Sequence, residues 1–179
     1  MKLNLLSTYF LMVVAALLGS CRPFDPDDST PPKQTEGWAP IYSQAADAIG
    51  STDARTIENG GKIYIKDDRL YQIESGKGIH VINISDKANP EKIAFIEVIG
   101  CQEMSIAGKT LYTNNLNDLV TIDISDINNV VEKDRKKDAF HILDKGHPPA
   151  RGWFECIDPS KGEVIGWEMK TLYSPKCLY

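Results

Sequence analysis

The chain has 179 residues, a formal net charge of −5, 42% hydrophobic residues and 25% charged residues. That composition excludes a disordered or collagen-like chain, and the acidic balance leaves no basic footprint for nucleic acid. The one long apolar run is too short and too close to the N-terminus to span a membrane as a helix.

Lys2 gives a positive start, and Leu5 to Leu18 form an apolar run of about 14 residues. Leu18-Gly19-Ser20-Cys21 follows, with small residues before a cysteine. This predicts a signal peptide over 1–20 and a bacterial lipobox with Cys21 as the lipidated residue. Several acyl chains on one cysteine anchor firmly, at about 0.8 kcal/mol per buried methylene. The membrane is therefore an expected partner, through the N-terminal lipid.

Residues 21–40 hold five of the ten prolines, with Asp25, Asp27 and Asp28. Such a stretch reads as an extended spacer. The acidic cluster after Cys21 resembles the surface-export signal of Bacteroidetes lipoproteins, and Asp28-Ser29-Thr30 resembles their short O-glycosylation motif. A single β domain is expected over 41–179. Residues 42–55 carry Ala45, Ala46 and Ala48 without a strong strand pattern, which suits a short helix or an irregular segment.

Two stretches then match at a period of about 40, the size of an array unit. Leu70-Tyr71, Ile82-Asn83-Ile84-Ser85-Asp86 and Asn89 correspond to Leu111-Tyr112, Ile122-Asp123-Ile124-Ser125-Asp126 and Asn129. Upstream, Ile63 and Ile65 correspond to Met104 and Ile106. Period-two alternation gives about four strands per unit, one propeller blade in size. Asp67-Asp68 sits where a tight hairpin belongs, and Asp86 to Pro90 forms a polar turn. The fourth strand of unit two is weak: Val130-Val131 runs into Glu132 to Asp138, read as an exposed loop or irregular edge. Trp153–Ile157 and Glu163–Glu168 are expected to pair as a C-terminal hairpin around a Pro-Ser-Lys-Gly turn. The fold class is all-β: a partial β-propeller-like array of about two four-stranded repeats plus that hairpin.

Leu119-Val120-Thr121-Ile122-Asp123-Ile124-Ser125-Asp126 resembles the repeat of the LVIVD-repeat proteins, a propeller-like β family of secreted bacterial lipoproteins. Gly61-Lys62-Ile63-Tyr64, Gly78-Ile79-His80-Val81-Ile82 and Asn89-Pro90 are similar to that family's blades. Phe154 to Pro159, Gly166-Trp167-Glu168 and Pro175-Lys176-Cys177 resemble the way its short members end. The resemblance covers roughly residues 55–179 and implies fold more than function, because it brings no catalytic residues. Closed propellers use four or more blades, and this chain has two clear units. The expectation is an open stack, or closure between chains, with exposed edges covered by the N-terminal segment, the charged loop or the tail.

Three cysteines remain after Cys21. In the oxidising compartment that the leader implies, Cys156–Cys177 is the favoured disulfide and Cys101–Cys156 its competitor. The leftover cysteine is expected to be buried and inert.

No catalytic residue, metal ligand or cofactor is assigned. Gly108-Lys109-Thr110 mimics the end of a phosphate loop, but Glu103 stands where that motif needs glycine. His80 lies inside an alternating run and reads as packed, while His141 and His147 flank a turn. Asp86, Asp118, Asp123 and Asp126 read as turn carboxylates, with calcium or glycan contact as the sharper alternative. Trp38, Trp153, Trp167, Tyr64, Tyr71 and Tyr112 read as sheet packing, with a sugar-stacking surface as the alternative.

The expected function is a non-catalytic cell-envelope lipoprotein on the outer membrane, at its periplasmic side or the cell surface. It would act as a β-repeat scaffold or binding module for a protein or glycan. The alternatives are an envelope polymer hydrolase with a carboxylate site in the repeat loops, and a homo-oligomeric structural component.

Overall fold

The computed structural model describes residues 30–179; Cys21 and the leader lie outside them. Alternating apolar residues build three sheets, none closed into a barrel. The first sheet contains β2 (Ile49–Thr52), β3 (Gly60–Lys66), β4 (Arg69–Glu74), β5 (Gly78–Asn83) and β6 (Glu91–Val98), in the order β2-β6-β5-β4-β3. The second contains β7 (Met104–Ala107), β8 (Thr110–Asn115), β9 (Asp118–Asp123) and β10 (Val131–Lys136), in the order β10-β9-β8-β7. Both are wholly antiparallel.

Each repeat half is thus a four-stranded meander, and β2 adds a fifth strand to the first. Tyr71, Ile73, Ile79, Val81, Ala94 and Ile96 project from one face of the first sheet. They share a single core with Ile106, Leu111, Val120 and Ile122 of the second. Ile79, Val81, Leu111, Val120 and Ile122 are fully buried. Alternation places these residues on one face, and burial of that face is the main favourable term.

The third sheet joins both ends of the described chain. β1 (Gln34–Ser43) lies between β12 (Glu163–Tyr173) and β11 (Trp153–Phe154), with β13 (Cys177–Leu178) outside β11. The C-terminal hairpin expected from the sequence therefore does not form. β12 pairs with β1 from Gln34↔Tyr173 to Ser43↔Glu163, and β11 runs parallel to β1. Length explains the choice: an eleven-residue strand finds a full ladder on ten-residue β1 and only two residues on β11. The intervening Pro159–Lys161 is a single 3-10 turn. It ends at Gly162, whose φ of 109° and approach to the Ser43 carbonyl leave no room for a side chain.

Part of the stretch expected to be a spacer is strand. Gln34–Pro40 belong to β1 rather than to a tether. Pro40 is tolerated because of where it points. The Trp38 carbonyl faces β11 and accepts from Glu155 N–H at 2.8 Å. Pro40, two residues on, turns its missing N–H to the same side, beyond the end of β11. Residues 42–55 form no helix: Ala48 N–H closes a turn on Ala45 O, and Ile49–Thr52 become β2 against β6. The charged run after Val130 is a strand as well. β10 pairs with β9 along the sheet edge, with a register shift between Glu132 and Asp134.

Cys156 and Cys177 are disulfide-bonded, as favoured from the sequence, and Cys101 is free and buried. The bridge ties β13 to the end of β11 across 21 residues. On the chain-entropy model, Cys177→Ser is expected to lower unfolding stability by about 3 kcal/mol. Denaturant titration checks it: reductant should bring the parent down to the variant and leave the variant unchanged.

Candidate functional site

The two repeats match bond for bond at one rim. Asp67-Asp68 and Gly108-Lys109 are the two-residue turns between Lys66↔Arg69 and Ala107↔Thr110. Asp67 and Gly108 take positive φ of 53° and 61°. Ile84 N–H donates to Asp68 O at 2.8 Å, and Ile124 N–H to Lys109 O at 2.9 Å. Ser85 N–H donates to Asn83 Oδ1, and Ser125 N–H to Asp123 Oδ1, both at 2.9 Å. Asp86 and Asp126 accept from Ala88 and Asn128 N–H at 2.9 and 3.0 Å.

Asp86, Asp123 and Asp126 are thus turn formers, as their spacing suggests, whereas Asp118 is not: its carboxylate is buried and accepts from Arg135 and from Asp138 N–H. The Asn89 side chain and Ala88 N–H hold Asp86 below the ordinary carboxylate range. Ser125 first, then Lys133, bring Asp123 down to about 2.

Between these rims lies a hollow of about 340 Å³, lined by Lys66, Asp67, Asp68, Arg69, Tyr71, Gly108, Lys109, Ile124 and Ser125. A neighbouring hollow of about 520 Å³ shares Arg69 and Ser125 and adds Lys92, Glu91 and Asp126. Lys66 pairs with Asp67 at 3.4 Å. Among the described residues, Arg69, Lys92 and Lys109 have no acidic partner within ion-pair distance. The groove therefore offers both signs of charge in balance, four cations and four carboxylates, on a fixed backbone frame. That suits a polar, hydrogen-bonding ligand surface rather than an apolar one.

The other candidates disperse. Trp38, Trp153 and Trp167 lie in the third sheet, Tyr64 and Tyr71 in the first, and Tyr112 in the second. Trp167 Nε1–H is bound to Asp144 O, and Tyr64 O–H to Ile106 O. They form no common stacking surface. Gly108-Lys109-Thr110 is a hairpin turn, and His147 meets Asp144 at 3.3 Å in the exposed loop. Cys101 Sγ lies 3.0 Å from Thr113 Oγ1, and burial pushes its thiol up to about 11. It stays protonated and is a poor nucleophile. Among the described residues, no three His, Cys, Asp or Glu side chains converge to hold a metal ion.

Two buried polar clusters escape a reading of the sequence. In the first, ionised Glu74 accepts from His80 Nε2–H at 2.9 Å and from Glu58 N–H at 3.1 Å. Asn59 N–H donates to its other oxygen. His80 is fully buried, and its Nδ1 has no partner among the described residues. This carboxylate fastens residues 53–59 across the sheet, where Arg55 also sits 3.4 Å above the Phe95 ring. Alternation with Tyr71 and Ile73 makes Glu74 look solvent-facing, so only the strap above it reveals its role.

The His80 hydrogen bond, then the Asn59 and Glu58 N–H groups, outweigh burial and bring Glu74 down to about 2 from an ordinary 4.5. A carboxylate depressed on folding stabilises fully above its unfolded value, and that contribution is lost as pH falls through the folded value. The melting advantage of the parent over Glu74→Gln should be constant above about pH 4.5 and shrink steadily toward about pH 2. A pH-independent difference would sink this account.

The second cluster centres on Arg135, which points inward from β10. It donates to Asn115 Oδ1 at 2.6 Å, Asp118 Oδ2 at 3.0 Å, Glu132 Oε2 at 2.7 Å and Asp47 O at 3.0 Å. Lys137 adds contacts to Asp47 and Asp118. Burial raises Asp118, but Asp138 N–H, Arg135 and Lys137 outweigh it and hold it below the ordinary range. The Glu132 carboxylate, then Asp118, raise Arg135 above its ordinary value. This is a latch between the second sheet and the 45–48 turn, remote from the rim groove.

No family model, curated protein or solved structure matches this chain.

Proposed function

We propose that the chain is a non-catalytic envelope lipoprotein of LVIVD-repeat type, anchored to the outer membrane through Cys21. Its two four-stranded units pack as adjacent propeller-like blades. The rim groove between them binds a polar partner, a protein or a glycan. One observation carries this reading: a repeated, rigid turn frame flanks a polar hollow where Arg69, Lys92 and Lys109 have no acidic partner among the described residues. The repeat carboxylates Asp86, Asp123 and Asp126 already serve their own turns, which favours binding over acid–base chemistry.

The test is cross-linking of the lipidated protein in its own membranes, with mass spectrometry of what it captures. The parent should capture one envelope component reproducibly. Arg69→Glu with Lys109→Glu should lower that capture at least tenfold, since the loss of even one charged hydrogen bond removes about 1.5–3 kcal/mol. The melting temperature should not move, because neither side chain holds the fold. Equal capture by parent and variant would dismiss the groove, and a Cys21→Ala chain that still sediments with membranes would dismiss the anchor.

A further inference from the structure

The first sheet has a second face, opposite the shared core. Paired positions place Ile63, Ile65, Leu70, Gln72, His80, Ile82 and Phe95 on it. The strap of residues 53–59 covers only part: it lies over Phe95 through Arg55 and fastens to Glu74. Ile63 and Ile65, on the free edge strand β3, remain 56% and 61% exposed. Adjacent Leu70 and Ile82 are half-buried.

The repeat shows what this face is built for. Ile63, Ile65, Leu70 and Ile82 correspond to Met104, Ile106, Leu111 and Ile122. In the second sheet those positions form the packing face: Ile106 is 5% exposed, and Leu111 and Ile122 are fully buried against the first sheet. The same positions that make a sheet-on-sheet interface in unit two have no covering sheet in unit one among the described residues. The opposite end of the stack is closed differently. On the outer face of the second sheet, the counterparts of Tyr71, Ile73 and Val81 are Tyr112, Asn114 and Thr121; Asn114 is buried against residues 100–103 and Tyr112 is 39% exposed. Stacked repeats need a polar terminal face, and the end with Thr121 and Asp134 is the more polar of the two.

We propose that the uncovered face of the first sheet is a two-fold contact surface for a second copy of this chain, with Ile63 and Ile65 at its centre. A two-fold contact sets the same patch against itself, apolar on apolar. Its charged border suits this, because it carries both signs as pairs: Arg55 with Glu97 and Lys77 with Glu58. A head-to-tail contact would instead press the isoleucines onto Thr121 and Asp134, with Tyr112 the one apolar side chain of that row. The surface is separate from the rim groove, so the inference stands apart from the ligand reading.

Single cysteines in the full lipidated chain test it in native membranes. Under mild oxidation, Ile65→Cys should give a reducible dimer of this chain, while Thr121→Cys on the polar face should stay monomeric. Ile65→Asp should cut dimer yield at least tenfold from a parent cross-linked with an amine reagent, with the Cys156–Cys177 bridge and melting temperature retained. An Ile65→Cys chain that reacts with maleimide yet stays monomeric overturns the proposal. So does a dimer that requires Ile65→Cys on one copy and Tyr112→Cys on the other, and so does cross-linking only to a different protein. Loss of groove capture with dimerisation intact would implicate the partner reading alone.

Discussion

Arg135→Ala is expected to lower unfolding stability by about 3 kcal/mol, or about 6–12 °C in melting temperature for a chain of this size. Removing the guanidinium leaves Asp118, whose side chain is 7% exposed, with Lys137 as its remaining cation. Asn115 Oδ1 and Asp47 O lose a donor as well. Breaking a buried pair from one side costs more than the pair contributes, because the other charge stays out of water. Lys137 remains at 3.1 Å, which keeps the expected loss at the lower end of that range. Arg135→Lys should recover little, since one ammonium cannot reach Glu132, Asp118, Asn115 and Asp47 from one position. Chemical denaturation of the three chains decides it, and a loss under about 1 kcal/mol would place this network with ordinary surface ion pairs.

Gly78→Ala should destabilise by about 4 kcal/mol. Gly78 opens β5 at φ +150°, and a methyl there would meet the Ile96 carbonyl oxygen at 2.1 Å and the Phe95 ring at 2.8 Å. The first obstacle is backbone of the paired strand β6, so relief requires moving the ladder rather than a rotamer. Overpacking and left-handed strain each add about 1–3 kcal/mol. Gly76→Ala is the matched control: its φ is +74° but nothing lies within 4 Å of the added carbon. It should lose only about 1–2 kcal/mol. Equal losses in the two variants would mean that the close approach to β6 is not what fixes glycine at 78.

These effects also bear on function. Gly78 seats β5 beside β6, and Phe95 lies beneath Arg55 of the strap. Distorting that corner disturbs the outer face of the first sheet without touching the rim groove. A Gly78→Ala chain that remains folded at low temperature should therefore keep groove capture while losing dimer yield.

Strand content and the repeat were legible in the residues because both depend on local chemistry. Ile79 and Val81 alternate with His80 and Ile82, so one face is apolar at the strand period. Asn83/Asp123 and Asp86/Asp126 recur because each turn needs a short acceptor for an N–H two residues on. Cys156–Cys177 is favoured over Cys101–Cys156 because it closes a short loop near the C-terminus, and it is the bond that forms, although the hairpin expected inside that loop does not.

What remained hidden depends on residues far apart in sequence. β12 prefers β1 over β11 because ladder length decides, and β1 lies more than a hundred residues upstream. Glu132 to Asp138 looks like a solvated run until Asp47, Asn115 and Asp118 gather around Arg135. Glu74 looks exposed until residues 53–59 cross above it. By itself the sequence determined the all-β class, the two units and their turns, since these follow from period and turn acceptors, and it favoured the disulfide without excluding its competitor. Only the tertiary structure decided which ends share a sheet, which charges are buried and which apolar face is left uncovered. Those outcomes are settled by competition among distant partners for the same hydrogen bonds and the same buried area.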